Sequence, residues 1–559
     1  MDYKKQYERW VKYADEATKK ELLALTDERE IEDRFRCSMQ FGTGGLRGVL
    51  GAGTNRMNIY TVRKATQGYA DFVKQQGDTA VNRGVAIAYD NRWGSKEFAE
   101  NTAGVLAANG IKVYLFESLR PTPELSFAVR ELRCFGGVMI TASHNPPRYN
   151  GYKLYDETGC QLVPRYTDQL IRYIDAVEDE LHIACLPLEE AGARIEIIGK
   201  EVDERYYQKV RGILFEPDIP KNIKIVFSPQ HGTGNVPIRR MLDDLGYAVL
   251  PVEEQCAPDP AFSNTKNPNP ETEEAFALPL EKAEQAAADL AITTDPDCDR
   301  LGVAIRHQGG YVRLTGNQTG AVMLQYILRR RKERGTLPAD GLLINTIVTS
   351  SLGDEIAASY GVKTEKTLTG FKFIGDKIQT HQTLGDGSFI FGYEESLGYL
   401  IGDFVRDKDA VQAAVMLCEM AAYYQNRGKT LYDVLLEIYE TYGYYKDCLH
   451  AIELEGKDGL LKIQAIMQEL RDNPLQEAGG INVRAIEDYL EPQDAAFPKS
   501  DVLRYLLEDG SWVAVRPSGT EPKCKFYYCV KGETEEAAQE KLRALQDCFE
   551  ALAASAMDK

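Results

Sequence analysis

The stretch VAIAYDNRWGSKEFAENTAGVLAANGIKVYLFE, residues 85–117, decides the fold class. Two short apolar segments, VAIAYD and KVYLFE, flank the segment KEFAENTAGVLAANG, whose apolar residues recur at helical spacing. A strand, a helix and a second strand in this order form a βαβ unit, in which the two strands are parallel and the helix covers the sheet. The pattern therefore predicts an α/β fold.

The same alternation returns twice further along the chain. One repeat runs from NIKIVFSPQHG (222–232) to DLAITTDPDCDR (289–300), and another from NQTGAVMLQYILRRR (317–331) to GSFIFGYEESLGY (387–399), followed by two helices ending near Tyr442. After a helical and irregular stretch, SWVAVRPSGTEPKCKFYYCVKG (511–532) predicts two strands around a loop, and TEEAAQEKLRALQDCFEAL (534–552) predicts a closing helix. We expect three similar α/β domains with mixed, largely parallel sheets and a C-terminal α+β domain.

Composition limits the classes of protein to consider. A chain of 559 residues predicts three to five domains. The net charge of −19 argues against nucleic acid or an anionic membrane as the main partner. The N-terminal segment MDYKKQYERWVKYADEATKKELL predicts a charged amphipathic helix rather than a signal peptide, and no apolar run approaches the roughly 18 residues that a membrane span needs. Eleven cysteines without a CxxC pair favour the reducing cytoplasm.

Each of the three α/β repeats ends on an apolar strand followed by an unusual polar loop. These loops are TASHNPP (141–147), TTDPDCDR (293–300) and GYEESLGY (392–399). Ligands of α/β proteins bind outside the carboxyl ends of the strands, so these loops are the expected places for chemistry.

Asp295, Asp297 and Asp299 alternate just past a strand, which brings three carboxylates to one point. Oxygen ligands of this kind suit Mg²⁺. A calcium loop is excluded because Arg300 and Arg306 stand where glycine and a bidentate glutamate are required. The alternative is a solvated acidic turn, which Arg300 makes less favourable because a guanidinium beside a metal is suited to phosphate oxygens.

Three further groups of residues have both a functional and a structural interpretation. RPSGTEPK (516–523) combines an arginine, hydroxyl donors, a glycine and a lysine, as an anion cradle does, but is also a plausible hairpin turn. FGTGGLRG (41–48) is not a dinucleotide fingerprint, and either presents Arg47 to a phosphate or is only a flexible turn. Glu394 and Ser396 either bind sugar hydroxyls or cap the next element.

Ser143 and His144, at the end of an apolar run, raise the possibility of nucleophilic chemistry. No GxSxG motif is present, and adjacent residues seldom place an imidazole to deprotonate the neighbouring hydroxyl. Ser143 is therefore either an ordinary loop hydroxyl or a carrier of a phosphoryl group beside a metal.

Together, TASHNPPRYNGYK, TTDPDCDR, GYEESLGY and RPSGTEPK resemble the four signature loops of the α-D-phosphohexomutase superfamily, in that family's order, over residues 38–545. GYEES and the chain length resemble the phosphoglucomutase and phosphopentomutase branch. The resemblance implies a heart-shaped molecule around a central cleft, with a fourth domain similar to the TATA-binding-protein fold. The expected domains are I (1–204), II (205–314), III (315–446) and IV (447–559).

The resemblance also implies roles for individual residues. Ser143 matches the family's phosphoserine, and Asp295, Asp297 and Asp299 match its Mg²⁺ ligands, completed by a phosphoserine oxygen. The matched contacts to substrate are Arg47, Arg300, Thr369, Gly370, Glu394, Ser396, Lys408, Arg516, Ser518, Gly519 and Thr520. Lys408 matches a family candidate for proton transfer, with Lys153 and His144 as competitors and Arg47 as a further catalytic contact. Beside Arg406, the pKa of Lys408 is expected to be lowered.

One feature departs from the family's metal loop, commonly written DGDGDR: Pro296 and Cys298 replace its glycines. The carboxylates and the arginine are retained, so Mg²⁺ binding is still expected, with altered loop flexibility and thiol sensitivity as open points.

The implied activity is the interconversion of glucose 1-phosphate and glucose 6-phosphate through phosphoserine 143 and glucose 1,6-bisphosphate, which is intermediate and activator. The alternatives are a phosphopentomutase, a phosphomannomutase, a glucose 1,6-bisphosphate synthase, a metal-dependent phosphatase and a sugar-phosphate-binding regulator without catalysis. We expect a cytoplasmic monomer or weak dimer whose partner is a small sugar phosphate.

Overall fold

A computed structural model of the chain describes residues 2–42, 44–454, 456–494, 497–518 and 523–558. It contains two compact units, of which the first comprises Met1–Thr315 with Phe371–Thr430 and the second Gly316–Gly370 with Leu431–Lys559. In the sequence, the first segment of the second unit, Gly316–Gly370, lies between the two segments of the first unit.

The first unit begins with three short helices. They are α1 (Tyr3–Tyr13), α2 (Glu16–Leu23) and α3 (Glu28–Phe35). The sequence predicted one helix over the first two, and this was wrong because Asp15 starts a new helix by accepting hydrogen bonds from the backbone of Ala17 and Thr18. Trp10 and Phe35 are fully buried between the helices and the rest of the unit.

A six-stranded sheet forms the first α/β layer. Its strands are β1 (Leu46–Val49), β2 (Val85–Tyr89), β3 (Val113–Phe116), β4 (Gly136–Ile140), β5 (Tyr149–Tyr155) and β6 (Ile195–Ile198). Its helices are α4 (Ile59–Gln75), α5 (Asp78–Arg83), α6 (Ser95–Ala108), α7 (Thr122–Glu131), α8 (Pro164–Asp175) and α9 (Lys200–Arg211). The order is β1-β5-β4-β2-β3-β6, in which β4, β2, β3 and β6 are parallel and β5 and β1 are antiparallel to their neighbours. The βαβ unit predicted from residues 85–117 is therefore confirmed as β2, α6 and β3.

A five-stranded sheet repeats this plan. Its strands are β7 (Lys224–Ser228), β8 (Ala248–Pro251), β9 (Leu290–Thr294), β10 (Leu301–His307) and β11 (Gly310–Leu314), and its helices are α10 (Asn235–Asp244) and α11 (Ala277–Ala286). In the order β11-β10-β9-β7-β8, the strands β9, β7 and β8 are parallel, whereas β10 and β11 are antiparallel to their neighbours. Strand β9 is buried along its whole length, as a central strand requires.

The next part of the chain contributes to both units. In the second unit lie α12 (Gly316–Glu333), β12 (Gly341–Thr346), α13 (Leu352–Ser359) and β13 (Lys363–Thr367), with β12 and β13 parallel. In the first unit lie α14 (Phe371–Leu384), β14 (Ser388–Glu394), β15 (Gly398–Leu400) and α15 (Ala410–Gln425), with β14 and β15 antiparallel. Helix α16 (Leu431–Tyr442) follows in the second unit, so both helices predicted to end near Tyr442 are present.

The C-terminal part of the second unit is an α+β layer. Its elements are β16 (Tyr444–Glu453), α17 (Gly456–Asp472), β17 (Glu477–Ala478), β18 (Ile481–Asp488), β19 (Leu503–Leu507), β20 (Trp512–Pro517), β21 (Lys523–Gly532) and α18 (Glu535–Asp558). All neighbours in the order β16-β21-β20-β19-β18-β17 are antiparallel. Ile466 of α17 and Phe549 of α18 belong to the core beneath this sheet. The predicted fold class, repeated α/β domains followed by an α+β domain, is confirmed.

Across the described ranges, every helix is either too short or too polar to cross a lipid bilayer.

Candidate active site

Ser143 lies three residues after β4, in the loop that the sequence singled out. Its side chain is 4% exposed and its φ is 50°, in the left-handed region that residues other than glycine seldom adopt. Its backbone N–H donates to Thr141 Oγ1 at 2.8 Å, and its hydroxyl lies 3.1 Å from His144 Nδ1. The hydroxyl also donates to Asp295 Oδ2 at 2.8 Å. The structure thus joins the serine of the first sheet to the acidic loop of the second.

The acidic loop directly after β9 gathers three carboxylates. One oxygen each of Asp295, Asp297 and Asp299 lies within 4.8 Å of the other two, and all three residues are buried. Asp295 Oδ1 accepts hydrogen bonds from the backbone N–H groups of Asp299 at 3.1 Å and Arg300 at 3.0 Å. The loop therefore curls around its first carboxylate.

Two lysines pair with the other two carboxylates. Lys153, on β5, lies with its Nζ 3.0 Å from Asp297 Oδ2, and Lys408 Nζ lies 2.9 Å from Asp299 Oδ2. The second oxygen of each carboxylate, Oδ1, is buried and has no hydrogen-bond donor among the residues that the structure describes. Buried carboxylate oxygens without donors are costly unless a cation binds them, so the cluster fits Mg²⁺ or a similar hard cation.

The charges around this cluster change the protonation of its members. Burial alone would raise the pKa of Asp297, but Lys153 outweighs it and holds the pKa below its usual value. For Asp295, burial and the carboxylates of Asp299 and Asp297 raise the pKa. Burial opposes the charge of Lys408, yet Asp299 and Asp407 raise its pKa above the usual value.

The expectation that Arg406 lowers the pKa of Lys408 was therefore wrong. The guanidinium group of Arg406 turns away, toward the carbonyl oxygens of Asp403 and Val405 and the side chain of Gln382. Adjacency in the sequence therefore did not predict which charges act on Lys408.

Pro296 and Cys298, the two departures from the family's loop, fit it in different ways. The carbonyl oxygen of Pro296 accepts hydrogen bonds from Thr233 N at 2.8 Å and Thr233 Oγ1 at 3.0 Å. Cys298 is fully buried with a φ of 55°. Burial, followed by the charge of Asp295, raises the pKa of the Cys298 thiol well above its usual value, so the thiol stays protonated and unreactive.

Arg300 is held by a glutamate that sequence reasoning missed. Arg300 Nη1 donates to Glu271 Oε1 at 2.5 Å. Two successive turns fix this glutamate, since Asn267 Oδ1 accepts from Asn269 N and Asn269 Oδ1 accepts from Glu271 N, each at 3.1 Å. The signal in the sequence was the run NPNPE, whose asparagines and prolines are typical of a built turn.

Thr122, at the start of α7, is a second residue that sequence reasoning missed. Its backbone N–H donates to the carbonyl oxygen of Asp297 at 2.9 Å, and its hydroxyl donates to Asp297 Oδ2 at 3.0 Å. Such contacts orient a metal-binding carboxylate. The only sequence signal was its place in PTPE, at a helix N-terminus after a strand.

Arg47 lies on β1, opposite Gly151 of β5. The strand pairing places its exposed side chain beside the serine loop, where Nη1 donates to Asn145 Oδ1 at 3.0 Å. The glycine-rich segment before it is thus a connection into a strand rather than only a flexible turn.

Glu394 is the last residue of β14, and Ser396 lies in the turn between β14 and β15, which adjoins the acidic loop. Gly398 pairs with Arg300 in a β-bridge, and Leu301 N donates to the carbonyl oxygen of Leu397 at 3.1 Å. Glu394 is buried and Ser396 is half-buried. Burial and the neighbouring charge of Glu394 raise the pKa of Glu395 to about 8.

The structure brings together the sequence-predicted residues of the first unit. These are Arg47, Ser143, His144, Lys153, Asp295, Asp297, Asp299, Arg300, Glu394, Ser396 and Lys408. Thr369, Gly370, Arg516 and Ser518 belong to the second unit, where Ser518 N donates to the carbonyl oxygen of Lys523 at 2.7 Å across the ends of β20 and β21. Gly519 and Thr520 lie outside the described residues.

Comparison with protein families matches almost the whole chain. The models described as phosphoglucomutase/phosphomannomutase alpha/beta/alpha domains I, II and III match residues 38–180, 204–310 and 315–442. The model of the C-terminal domain of the same family matches residues 454–545.

Full-length relatives and solved structures agree with these matches. A phosphoglucomutase of Staphylococcus aureus strain MRSA252 is 39% identical over 554 residues, which is 96% of this chain and 98% of the relative. The open form of the Paramecium phosphoprotein pp63/parafusin, a phosphoglucomutase, has a TM-score of 0.71 at 20% identity and covers 93% of this chain and 95% of its own. A putative phosphomannomutase of Thermus thermophilus has a TM-score of 0.67 at 24% identity, covering 91% of this chain and 99% of its own. The two structures show the shared fold.

Proposed function

The chain belongs to the phosphoglucomutase/phosphomannomutase family of mutases, and we propose that it interconverts α-D-glucose 1-phosphate and glucose 6-phosphate. The observation that carries this proposal is the 2.8 Å hydrogen bond from Ser143 Oγ to Asp295 within a cluster of three buried carboxylates. A hydroxyl nucleophile beside a cation site is what phosphoryl transfer requires. The 39% identity to a phosphoglucomutase supports glucose phosphates as substrates.

We assign Mg²⁺ as the cofactor, held by Asp295, Asp297, Asp299 and an oxygen of phosphorylated Ser143. The buried Oδ1 atoms of Asp297 and Asp299, without donors among the described residues, support this assignment, as does the hard oxygen donor set. Once bound, the cation supplies positive charge that offsets the charge of the phosphoryl oxygens.

Ser143 carries the phosphoryl group in both halves of the proposed reaction. First, the bond from phosphorus to Ser143 Oγ breaks as a bond forms to the 6-hydroxyl oxygen of glucose 1-phosphate. The attacking hydroxyl loses its proton, Ser143 Oγ gains one, and glucose 1,6-bisphosphate results. The bisphosphate then reverses its orientation. The bond from phosphorus to O1 breaks as Ser143 Oγ loses its proton and takes the phosphoryl group, O1 gains a proton, and glucose 6-phosphate is released. Glucose 1,6-bisphosphate therefore also phosphorylates free enzyme, which makes it an activator.

We assign the proton transfers to Lys408. Asp299 and Asp407 raise its pKa, so its charged form donates a proton to the leaving oxygen, and the neutral amine then accepts the proton of the attacking hydroxyl. Its Nζ lies 2.9 Å from Asp299, and its side chain packs on Gly398 of β15, which pairs with Glu394 of β14, where a sugar hydroxyl is expected. Lys153 pairs with Asp297, and His144 Nδ1 lies 3.1 Å from Ser143 Oγ, so these two competitors serve the cluster and the nucleophile.

The proposed substrate contacts fall into several groups. Arg47 and Arg300 bind the transferring phosphoryl group, and Glu394 and Ser396 bind sugar hydroxyls. Thr369 contacts the sugar phosphate or the transferring group, and Gly370 is a further substrate contact. The phosphate that is not transferred is bound by Arg516, Ser518, Gly519 and Thr520. Two of these contacts, Gly519 and Thr520, lie outside the described residues.

We propose four domains with one loop of the site in each. Domain I (1–204) supplies Ser143, domain II (205–314) the acidic loop, domain III (315–446) the sugar contacts and domain IV (447–559) the phosphate grip.

All eleven cysteines are free thiols, which supports the cytoplasm as the working compartment. A monomer or weak dimer is proposed.

A discharge assay tests the proposal. Enzyme phosphorylated with glucose 1,6-bisphosphate is mixed with glucose 1-phosphate, mannose 1-phosphate or ribose 1-phosphate, and its intact mass is followed. We expect a protein-bound group of about 80 Da that maps to Ser143 and is lost fastest to glucose 1-phosphate. Faster loss to ribose 1-phosphate identifies a phosphopentomutase, and release of inorganic phosphate at the rate of turnover identifies a phosphatase. An enzyme that turns over without phosphate at Ser143 contradicts the mechanism.

A further inference from the structure

We propose that Arg92 is a positioning residue that holds the loop of Ser143 in the conformation needed for phosphoryl transfer. This inference rests on the proposed function, because it assigns the arginine a task in the chemistry of Ser143. Arg92 lies in the loop directly after β2, the strand parallel to β4, and is 3% exposed. No motif of the sequence pointed to it.

The guanidinium group of Arg92 binds four carbonyl oxygens of the serine loop. Nη2 donates to the carbonyl oxygens of Ser143 and Asn145, each at 2.5 Å. Nη1 donates to those of Pro146 at 3.0 Å and Tyr149 at 3.1 Å. One side chain thus fixes the start, the middle and the end of the turn between β4 and β5.

Arg92 is itself fixed by a buried network. Its Nε lies 3.2 Å from Asp90 Oδ2, and both side chains are fully buried. Ser95 Oγ donates to Asp90 Oδ1 at 2.6 Å, and Asn150 Nδ2 donates to Ser95 Oγ at 3.0 Å. The Phe262 ring, from the second sheet's domain, lies 5.1 Å from the guanidinium carbon. Because the charge of Arg92 is paired with Asp90 and the side chain is enclosed, the guanidinium group has little freedom to reorient.

This grip accounts for the unusual backbone of Ser143. A non-glycine residue at a φ of 50° persists only where its surroundings over-determine it. The bond from Arg92 to the carbonyl oxygen of Ser143, together with the bond from Ser143 N to Thr141 Oγ1, holds the residue on both sides. In this conformation Ser143 Oγ points at Asp295, as a nucleophile beside the proposed cation must.

The test substitution replaces the planar guanidinium group and keeps the positive charge. Arg92→Lys retains a cation but has no planar group that reaches four acceptors. We expect kcat to fall about 100-fold while the KM for glucose 1-phosphate changes less than about 3-fold, since a misplaced nucleophile affects the transfer and not the binding of substrate. Hydrogen exchange of the amides of residues 141–150 is expected to become faster.

Arg83→Lys is the matched control. Arg83 also donates to carbonyl oxygens, those of Arg133 and Cys134, at the end of the same sheet's helix α5, but it touches none of the residues assigned to the site. We expect its kcat to stay within about 2-fold of the wild type.

The outcomes separate this inference from the proposed function. If the wild type carries no phosphate on Ser143, the proposed function fails. If the wild type turns over through phosphoserine and Arg92→Lys matches it, or raises KM instead of lowering kcat, the inference alone is overturned. If Arg92→Lys does not fold, Arg92→Gln is measured in the same way, and failure of both to fold makes the arginine a folding residue and overturns the inference.

Discussion

The loops after β4 and β9 occupy the same topological position in two sheets, yet they are held by different means. Each strand has a parallel neighbour on one side, β2 or β7, and an antiparallel neighbour on the other, β5 or β10. Each loop contains a non-glycine residue in the left-handed region, Ser143 at a φ of 50° and Cys298 at 55°. In each sheet, the loop that follows the parallel neighbour contributes a residue that supports this loop, Arg92 after β2 and Thr233 after β7.

The difference lies in which atoms provide that support. The serine loop is bound by the side chain of Arg92, through four carbonyl oxygens. The acidic loop is bound mainly by backbone N–H groups, those of Asp299 and Arg300 on Asp295 and that of Thr233 on Pro296, to which the hydroxyls of Thr233 and Thr122 add. The serine loop therefore depends mainly on one replaceable side chain, whereas the acidic loop depends mainly on main-chain groups.

The largest effect is expected for Ser143→Ala, which removes the hydroxyl that is proposed to carry the phosphoryl group. We expect kcat to fall on the order of 10⁴-fold or more, with the free energy of unfolding changed by less than about 1 kcal/mol, because only one buried hydroxyl is lost. Coupled measurement of glucose 6-phosphate formation and denaturant unfolding check this. Ser118→Ala, at an exposed serine, is the control, and retention of a tenth of wild-type activity by Ser143→Ala would remove the serine from the mechanism.

Asp297→Asn tests the acidic loop at the carboxylate that Lys153 and Thr122 contact. The amide keeps the shape but loses the charge that faces Lys153 and the proposed cation, so we expect Mg²⁺ affinity to fall by about 100-fold or more. Binding of Mn²⁺ followed by electron paramagnetic resonance measures this without turnover. Asp243→Asn, at an exposed aspartate of α10, is the control. Unchanged affinity in Asp297→Asn would place the cation elsewhere.

Gly232→Ala tests the backbone support of the acidic loop. A Cβ at this position would collide with Pro296 Cα, a backbone contact that cannot yield cheaply. We expect a loss of about 1–3 kcal/mol in the free energy of unfolding and about 10-fold weaker Mn²⁺ binding, because the carboxylates move with the loop. Gly310→Ala, where a Cβ meets open space, controls for the substitution itself. Equal behaviour of the two variants would contradict the proposed support.

The sequence predicted the contents of these loops better than their supports. Ser143 and the three aspartates were identified because each follows an apolar strand and because the chemistry of their side chains is specific. Arg92, Thr122 and Glu271 were missed because their hydrogen-bond partners lie far away in the chain, and only the fold brings them together. A pairing of this kind has no local periodicity that a sequence pattern could reveal.

The fold follows the same division between local and non-local information. The strands β2, β4, β7 and β9 were predictable from short apolar runs between helices. Strands β16, β18 and β19 were missed because the half-buried faces of β16 and β18 mix polar and apolar residues, and only pairing across the C-terminal sheet defines them. The direction of the pKa shift of Lys408 was likewise set by Asp299, which is distant in sequence.

The smallest effect is expected for Cys298→Gly, which restores the residue that the family's loop commonly has. Glycine relieves a left-handed backbone conformation that costs other residues about 1–2 kcal/mol. It also loses the burial of the thiol and gains freedom in the unfolded chain, which together cost about as much. We therefore expect a net change within about 1 kcal/mol and kcat within about 3-fold of the wild type.

Cys418→Gly makes this expectation sharp, because Cys418 is equally buried but lies inside helix α15. There glycine relieves no strain and also weakens the helix, so we expect a loss of about 2 kcal/mol or more. Comparing the free energies of unfolding of the two variants isolates the cost of the left-handed backbone conformation at Cys298. If both lose the same free energy, the φ of 55° carries no strain, and the acidic loop is held by side-chain packing rather than by the path of its main chain.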